Sequence, residues 1–135
     1  MDPRKYALVV LILFMILPSA GCRQPAAALP DGEYKRIGFE LDLNKGTYML
    51  SSFYSSRFQL LEVGDYTLEG DQITFHARTM SPAQQYSCGD PTPYSYHWAF
   101  DPTARQLTLK VASESCQPRQ RALTRRPMLQ SDFPR

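Results

Sequence analysis

The stretch that decides the fold of this chain is Tyr94-Ser95-Tyr96-His97-Trp98-Ala99-Phe100, which lies between Cys88 and Cys116. Its aromatic residues stand at every second position, and residues 106–112 repeat this alternation with leucine and valine. Because successive side chains of a strand point to opposite faces, the period predicts two half-buried strands. The connection Asp101-Pro102-Thr103 is typical of a turn. The stretch therefore predicts a β-hairpin flanked by two cysteines.

One face of the first strand is aromatic throughout. It carries Tyr94, Tyr96, Trp98 and Phe100. Each large aromatic side chain can bury roughly 150–250 Å², so four of them can form much of the core of a small domain. The same four side chains also suit the wall of a pocket for an apolar ligand. Both interpretations place the rings inside, and the alternation does not choose between them.

Further alternating segments predict two more hairpins. Residues 33–43 and 47–54 predict one hairpin, and residues 66–68 and 72–78 predict another, with a break expected at Gly64-Asp65. Residues 55–63 fit a helical turn and a bulged strand equally, and residues 117–126 fit a closing strand and a short helix. About six strands in sequential hairpins predict an all-β fold, a small antiparallel meander that closes fully or partly into a barrel.

The N-terminus has the pattern of an export signal. Arg4 and Lys5 precede an apolar run over residues 7–17, which is shorter than the roughly 20 residues needed to span a bilayer. The following Ser19-Ala20-Gly21-Cys22 resembles the lipobox of bacterial lipoproteins. This resemblance implies cleavage before Cys22 and a diacylglycerol on its thiol. The next residue is Arg23 rather than the aspartate that commonly retains such proteins in the inner membrane, so the resemblance implies the periplasmic side of the outer membrane in a Gram-negative cell.

This signal divides the chain into four parts. We expect a signal peptide at 1–21, a lipidated cysteine and flexible tether at 22–31, the β domain at 32–126 and a disordered tail at 127–135. The chain has three cysteines. If Cys22 carries lipid, Cys88 and Cys116 remain as a pair that can form a disulfide in the oxidising exported compartment.

The β domain contains a series of short strand and turn segments at 46–48, 64–68, 70–75, 96–100, 107–109 and 116–119, together with Cys88. This pattern is similar to that of the small lipocalin-like domains of bacterial secreted proteins and lipoproteins. The resemblance implies a lipocalin-like barrel, some of whose larger relatives hold apolar ligands in the lumen. In lipocalins a late arginine packs across the tryptophan of a Gly-x-Trp sequence on the first strand, where this chain has Gly32-Glu33-Tyr34. The resemblance implies that Arg119 takes this role and lies over Tyr34 or Trp98.

Composition and motifs argue for binding rather than catalysis. The formal net charge of +2 argues against a general nucleic-acid binder. His76 and His97 lie on the polar faces of separate hairpins, and no metal, cofactor or acidic pair is expected. The arginines in 119–126 form a basic group that either is solvated or meets an acidic partner such as lipid headgroups. We therefore expect a non-enzymatic envelope lipoprotein that binds a small apolar ligand or has an accessory role; the alternative is a protein-binding module such as a lysozyme inhibitor.

Overall fold

The computed structural model describes residues 28–54, 57–81 and 88–132. In this part of the chain eight antiparallel strands form one sheet, and β8 pairs with β1 to close it. The all-β barrel predicted from the sequence is confirmed, as is the disulfide between Cys88 and Cys116. The strands are β1 (Gly32–Arg36), β2 (Phe39–Asn44), β3 (Thr47–Tyr54), β4 (Arg57–Glu69), β5 (Gln72–Met80), β6 (Tyr94–Asp101), β7 (Gln106–Ser113) and β8 (Met128–Gln130), and helix α1 (Gln117–Thr124) lies between β7 and β8.

The first strand predicted from the sequence is in fact two. β1 ends at Arg36, the chain turns at Ile37 and Gly38, and β2 returns with Tyr34 opposite Leu41. Gly38 has a φ of 85°, which favours glycine and allows the reversal. Ile37 continues the apolar alternation but is 93% exposed, so its side chain takes no part in the core.

The break predicted at Gly64-Asp65 is wrong, because β4 runs through it without interruption. A Cβ at Gly64 would lie 2.1 Å from the backbone oxygen of His76, so this glycine serves the close approach of β5 and not a turn. The described part of the ambiguous segment before it, residues 57–63, is the start of the same strand. The register passes from Leu50 opposite Glu62 to Ser51 opposite Leu60, which leaves Leu61 as the extra residue of a β-bulge.

The chain after Cys116 first forms a helix and then one more strand. Residues 117–124 are α1, which decides between the two alternatives for this segment. Residues 128–130, which the sequence predicted to be part of a disordered tail, form β8 between β7 and β1. Met128 is fully buried, so the domain continues beyond residue 126.

The barrel interior is packed with side chains. Helix α1 buries Arg119, Ala122 and Leu123 against one end of the barrel, which we call the helix end. Leu29 is buried in the core near the other end, where the tether enters, and we call this the tether end. Because the strands run up and down, the β1–β2 turn and the adjoining ends of β3 and β4 lie at the helix end. The β2–β3, β4–β5 and β6–β7 turns lie at the tether end. The core consists mainly of Tyr34, Leu41, Leu43, Tyr48, Leu50, Leu61, Ile73, Phe75, Tyr94, Tyr96, Leu107, Leu109, Leu123 and Met128.

Candidate functional site

The four aromatic residues predicted on β6 all pack into or against the core. Tyr94 and Tyr96 are buried, and Trp98 and Phe100 are half-buried against the core cluster. Phe75 stacks on Tyr94 with 5.2 Å between ring centroids, and Tyr94 meets Tyr96 edge to face at 6.0 Å. These contacts agree with the core-packing interpretation. The proposal that these rings bind a ligand therefore needs an opening beside them.

Arg119 lies at the centre of a buried ionic network at the helix end. Its Nε and Nη2 donate to the two carboxylate oxygens of Glu114 over 2.6 and 2.9 Å. Its Nη1 donates to Oε1 of Glu62 over 2.5 Å. Both glutamate side chains are fully shielded from solvent, and that of Arg119 is 2% exposed. A bidentate and a single charge-assisted bond thus join one guanidinium to two carboxylates.

Arg119 also lies over an aromatic ring, as the sequence predicted, but over a different one. Its Cζ is 3.5 Å from the ring centroid of Tyr94, not above Tyr34 or Trp98. The reason is the helix: α1 brings Arg119 down beside the first residue of β6. Burial works against the charged guanidinium, but the hydrogen-bonded Glu114, and then Tyr94 and Glu62, outweigh it and raise the pKa of Arg119.

Three tyrosine hydroxyls satisfy the remaining acceptors of the carboxylates. Oη of Tyr94 and of Tyr48 donate to Oε2 of Glu62 over 2.6 and 3.1 Å, and Oη of Tyr96 donates to Oε2 of Glu114 over 2.9 Å. Burial first, and the neighbouring carboxylate next, raise the pKa of each of these phenols. The three phenols therefore stay neutral and act as hydrogen-bond donors. A charged phenolate would add to the negative charge of two glutamates, of which Arg119 balances only one.

The network is tied to the disulfide through the start of α1. The backbone N–H of Cys116, which precedes the helix, donates to Oε1 of Glu114 over 2.7 Å. Nε2 of Gln120 donates to the backbone oxygen of Glu114 over 2.9 Å. Cys116 in turn holds Cys88 and the end of the β5–β6 connection. Glu114 thus positions Arg119, the helix and the disulfide together.

A cleft of about 400 Å³ opens beside this network. Its walls come from the end of the β5–β6 connection and from the segment between β7 and α1. Of the four aromatic residues predicted to bind a ligand, Tyr94 alone lines it. The lining residues are Thr92, Pro93, Tyr94, Ser113, Glu114, Ser115 and Arg119.

The geometry of the network suits a structural role better than catalysis. A general acid or base must reach the proton that it transfers, and the carboxyl groups of Glu62 and Glu114 are fully covered and already hydrogen-bonded. Among the described residues no cluster of histidine, cysteine, aspartate and glutamate has the arrangement of a metal site. His76 and His97 are exposed, and Nδ1 of His97 lies 3.2 Å from Oδ2 of Asp71.

Sequence reasoning missed the two glutamates. It expected no acidic pair, yet Glu62 and Glu114 meet at Arg119. Glu62 carried a weak signal, since it interrupts the apolar run Leu60-Leu61-Glu62-Val63. A carboxylate in a run that is otherwise destined for the core needs a buried cationic partner.

An exposed apolar patch lies on the outside of the helix end. Phe53 and Phe58 are 44% and 55% exposed and meet edge to face with 5.3 Å between ring centroids. The backbone N–H of Phe53 donates to the oxygen of Gly38 over 2.9 Å, which places the exposed Ile37 turn alongside. Leu60, 39% exposed, follows Phe58 on β4. We call Ile37, Phe53, Phe58 and Leu60 the apolar end surface.

A comparison of the chain with known family models, with curated proteins and with solved structures gave no match. The predicted signal peptide at 1–21 and the predicted lipid attachment at Cys22 lie outside the described residues. Within the described ranges, no helix is both long enough and apolar enough to cross a bilayer.

Proposed function

We propose that this chain is a non-enzymatic lipoprotein of the cell envelope, anchored through an acylated Cys22, that binds an apolar ligand on the outside of its barrel. The lipobox-like sequence before Cys22 supports the anchor. The disulfide supports export, because it uses the two other cysteines and such bonds persist in oxidising compartments. In a Gram-negative cell the barrel then lies on the periplasmic side of the outer membrane.

The observation that carries the binding role is the exposed Phe53–Phe58 pair beside Ile37. Exposed apolar side chains grouped in this way commonly mark binding surfaces. The β6 aromatic residues are less accessible, because Tyr94 and Tyr96 are buried and hydrogen-bonded to the glutamates. A ligand can reach the apolar end surface without displacing the core, so we place the site there and not in the lumen.

Calorimetric titration with palmitate tests the binding role. We expect Phe58→Ser to weaken binding about tenfold, because it removes most of a large apolar contact. The matched control is Leu68→Ser, which removes another exposed apolar side chain, 41% exposed, near the β4–β5 turn at the tether end. Equal loss in both variants, or no binding by the unaltered protein, contradicts the proposed site.

Mass spectrometry of protein harvested from the envelope tests the anchor. We expect a mature chain that begins at Cys22 and carries the mass of its acyl chains. Two or more chains are needed for stable attachment, so Cys22→Ser is expected to release the protein from membranes. An unmodified Cys22 in membrane-bound protein contradicts the anchor.

A protein-binding module, such as a glycosidase inhibitor, is the second candidate. The observation that favours it is the cleft, whose wall at Thr92 and Pro93 belongs to the segment 88–93, which the disulfide holds at Cys88. A loop held by a rigid scaffold is a common way to present a protein-binding surface. Co-purification of an envelope or foreign glycosidase at a one-to-one ratio, lost when Thr92 and Ser115 are replaced by arginine, supports this candidate.

A further inference from the structure

The apolar end surface lies within a group of arginines. Arg36 and Arg57 directly precede Ile37 and Phe58, and Arg121, Arg125 and Arg126 come from the exposed face and C-terminal side of α1. Nη2 of Arg36 donates to the backbone oxygen of Arg121 over 3.0 Å, which ties β1 to the helix. We call these five residues the basic rim.

The charges of the basic rim are close enough to act on one another. Burial first, and then the positive charges of Arg125 and Arg126, lower the pKa of Arg36. Within the described residues, neither Arg125 nor Arg126 forms an ion pair with a carboxylate. The rim is therefore a concentration of uncompensated positive charge that an external anion would relieve.

The opposite end of the barrel has the opposite charge. Carboxylates predominate there over Lys45 and Arg105, and two of them flank the β4–β5 turn. Three carboxylates near the helix end already have cationic partners: Glu62 and Glu114 bind Arg119, and Glu40 lies 3.4 Å from Lys35. Asp90, also near this end, accepts from the backbone N–H of Thr92 over 2.9 Å. The carboxylates of the tether end are Asp31, Glu69, Asp71, Asp101 and Asp132.

We propose that the helix end docks on a membrane leaflet that contains anionic phospholipid, with the apolar end surface inserted among the acyl chains and the basic rim bound to headgroup phosphates. This inference rests on the apolar end surface of the proposed function and names its partner. Aromatic and aliphatic side chains next to arginines are the composition of interfacial membrane contacts. Arginine matches phosphate with paired donors and contributes strongly at anionic surfaces.

The docking end is not the end that carries the anchor. The tether enters beside Asp31, whose Oδ1 accepts from the backbone N–H of Lys45 in the β2–β3 turn over 3.1 Å. Acylation at Cys22 alone would thus hold the tether end near a membrane. Contact of the helix end with lipid has to come from the side chains of that end. The acyl anchor and the docking surface can therefore be tested separately.

Co-sedimentation with vesicles tests this docking. The protein is the chain from Arg23 onward, which contains all eight strands, α1 and the disulfide, so that neither signal peptide nor acyl chain contributes. We expect binding to vesicles of phosphatidylcholine mixed with phosphatidylglycerol, weak binding to phosphatidylcholine alone, and release at high salt. Arg125→Gln with Arg126→Gln is expected to lower the partition coefficient at least about tenfold.

The matched control removes the same charge elsewhere. Lys45→Gln with Lys110→Gln is expected to change the partition coefficient by less than about twofold, because these exposed lysines lie at the tether end and on the barrel wall. Circular dichroism confirms that each variant is folded. Equal loss in both double variants overturns the docking geometry.

The results also separate this inference from the proposed function. Equal binding to neutral and anionic vesicles, or no vesicle binding by a protein that still binds palmitate through Phe58, overturns the anionic-lipid partner and leaves the apolar site intact. If the unaltered protein binds neither palmitate nor vesicles, the proposed apolar site and the membrane docking are both overturned. Binding of a soluble protein by the basic rim, without any binding to vesicles, likewise overturns the lipid assignment.

Discussion

Arg119 and Glu62 are 57 positions apart in the chain and meet inside the barrel, where Nη1 of the arginine donates to Oε1 of the glutamate over 2.5 Å. The pair joins helix α1 to strand β4 across the helix end. Breaking a buried ion pair from one side leaves an uncompensated charge, which costs more than the pair itself contributes. The stability of this end of the barrel therefore depends on all members of the network being present.

Replacement of Arg119 by alanine is expected to destabilise the protein by about 3–5 kcal/mol, because Glu62 and Glu114 would remain buried without a cation. Urea unfolding followed by tryptophan fluorescence measures the loss. Arg121→Ala is the control on the exposed face of the same helix, with an expected effect within about 0.5 kcal/mol. Similar midpoints for the two variants would show that the network is not structural.

The two tyrosine hydroxyls that donate to Glu62 are expected to contribute unequally to the free energy of unfolding. Tyr94→Phe removes the 2.6 Å bond and should cost about 1.5–3 kcal/mol, the range for hydrogen bonds to charged groups. Tyr48→Phe removes the 3.1 Å bond and should cost less, about 1 kcal/mol. Both changes keep the ring, so packing is matched. A larger loss in the Tyr48 variant than in the Tyr94 variant, measured by chemical unfolding, contradicts this order.

Loss of the disulfide is expected to lower stability by about 3–4 kcal/mol, because it closes a loop with a sequence separation of 28. The measurement is unfolding of the oxidised protein, the reduced protein and a Cys88→Ser, Cys116→Ser variant. The reduced protein and the double variant should agree with each other, and a reductant should leave the variant unchanged. An oxidised protein no more stable than the variant would contradict the prediction.

Stability is expected to fall as the pH rises above about 10, the ordinary tyrosine pKa. Burial raises the pKa of Tyr34, Tyr48, Tyr66, Tyr94 and Tyr96 in the folded protein. Above the ordinary value the unfolded chain releases these protons while the folded chain retains them, so each pH unit favours unfolding by up to about 1.4 kcal/mol per tyrosine. Urea midpoints should decline as the pH rises from neutral to alkaline. The ultraviolet absorbance change of tyrosine ionisation should appear when the chain unfolds. A midpoint that is constant to well above the ordinary pKa would show that these phenols are accessible.

Some features of this protein follow from local sequence alone. Alternation in residues 94–100 and 106–112 corresponds to β6 and β7, because a strand places successive side chains on opposite faces wherever it occurs. The disulfide is the pairing expected of the two cysteines that remain if Cys22 carries lipid. The alternation also predicts that Tyr94 and Tyr96 point inward, and both are buried; it does not distinguish a packed core from a pocket wall.

Other features are decided only when distant segments meet. The burial of Glu62 and Glu114 depends on Arg119, because a carboxylate is stable inside the barrel only when a cation lies beside it. β8 is three residues long, too short for any period to show, and it exists because β7 and β1 leave two open edges on either side of it. Ile37 carries the pattern of a core residue, yet the turn at Gly38 places it outside next to Phe53. Local patterns specify which faces of a strand are apolar, whereas closure of the sheet determines which of those faces are inside.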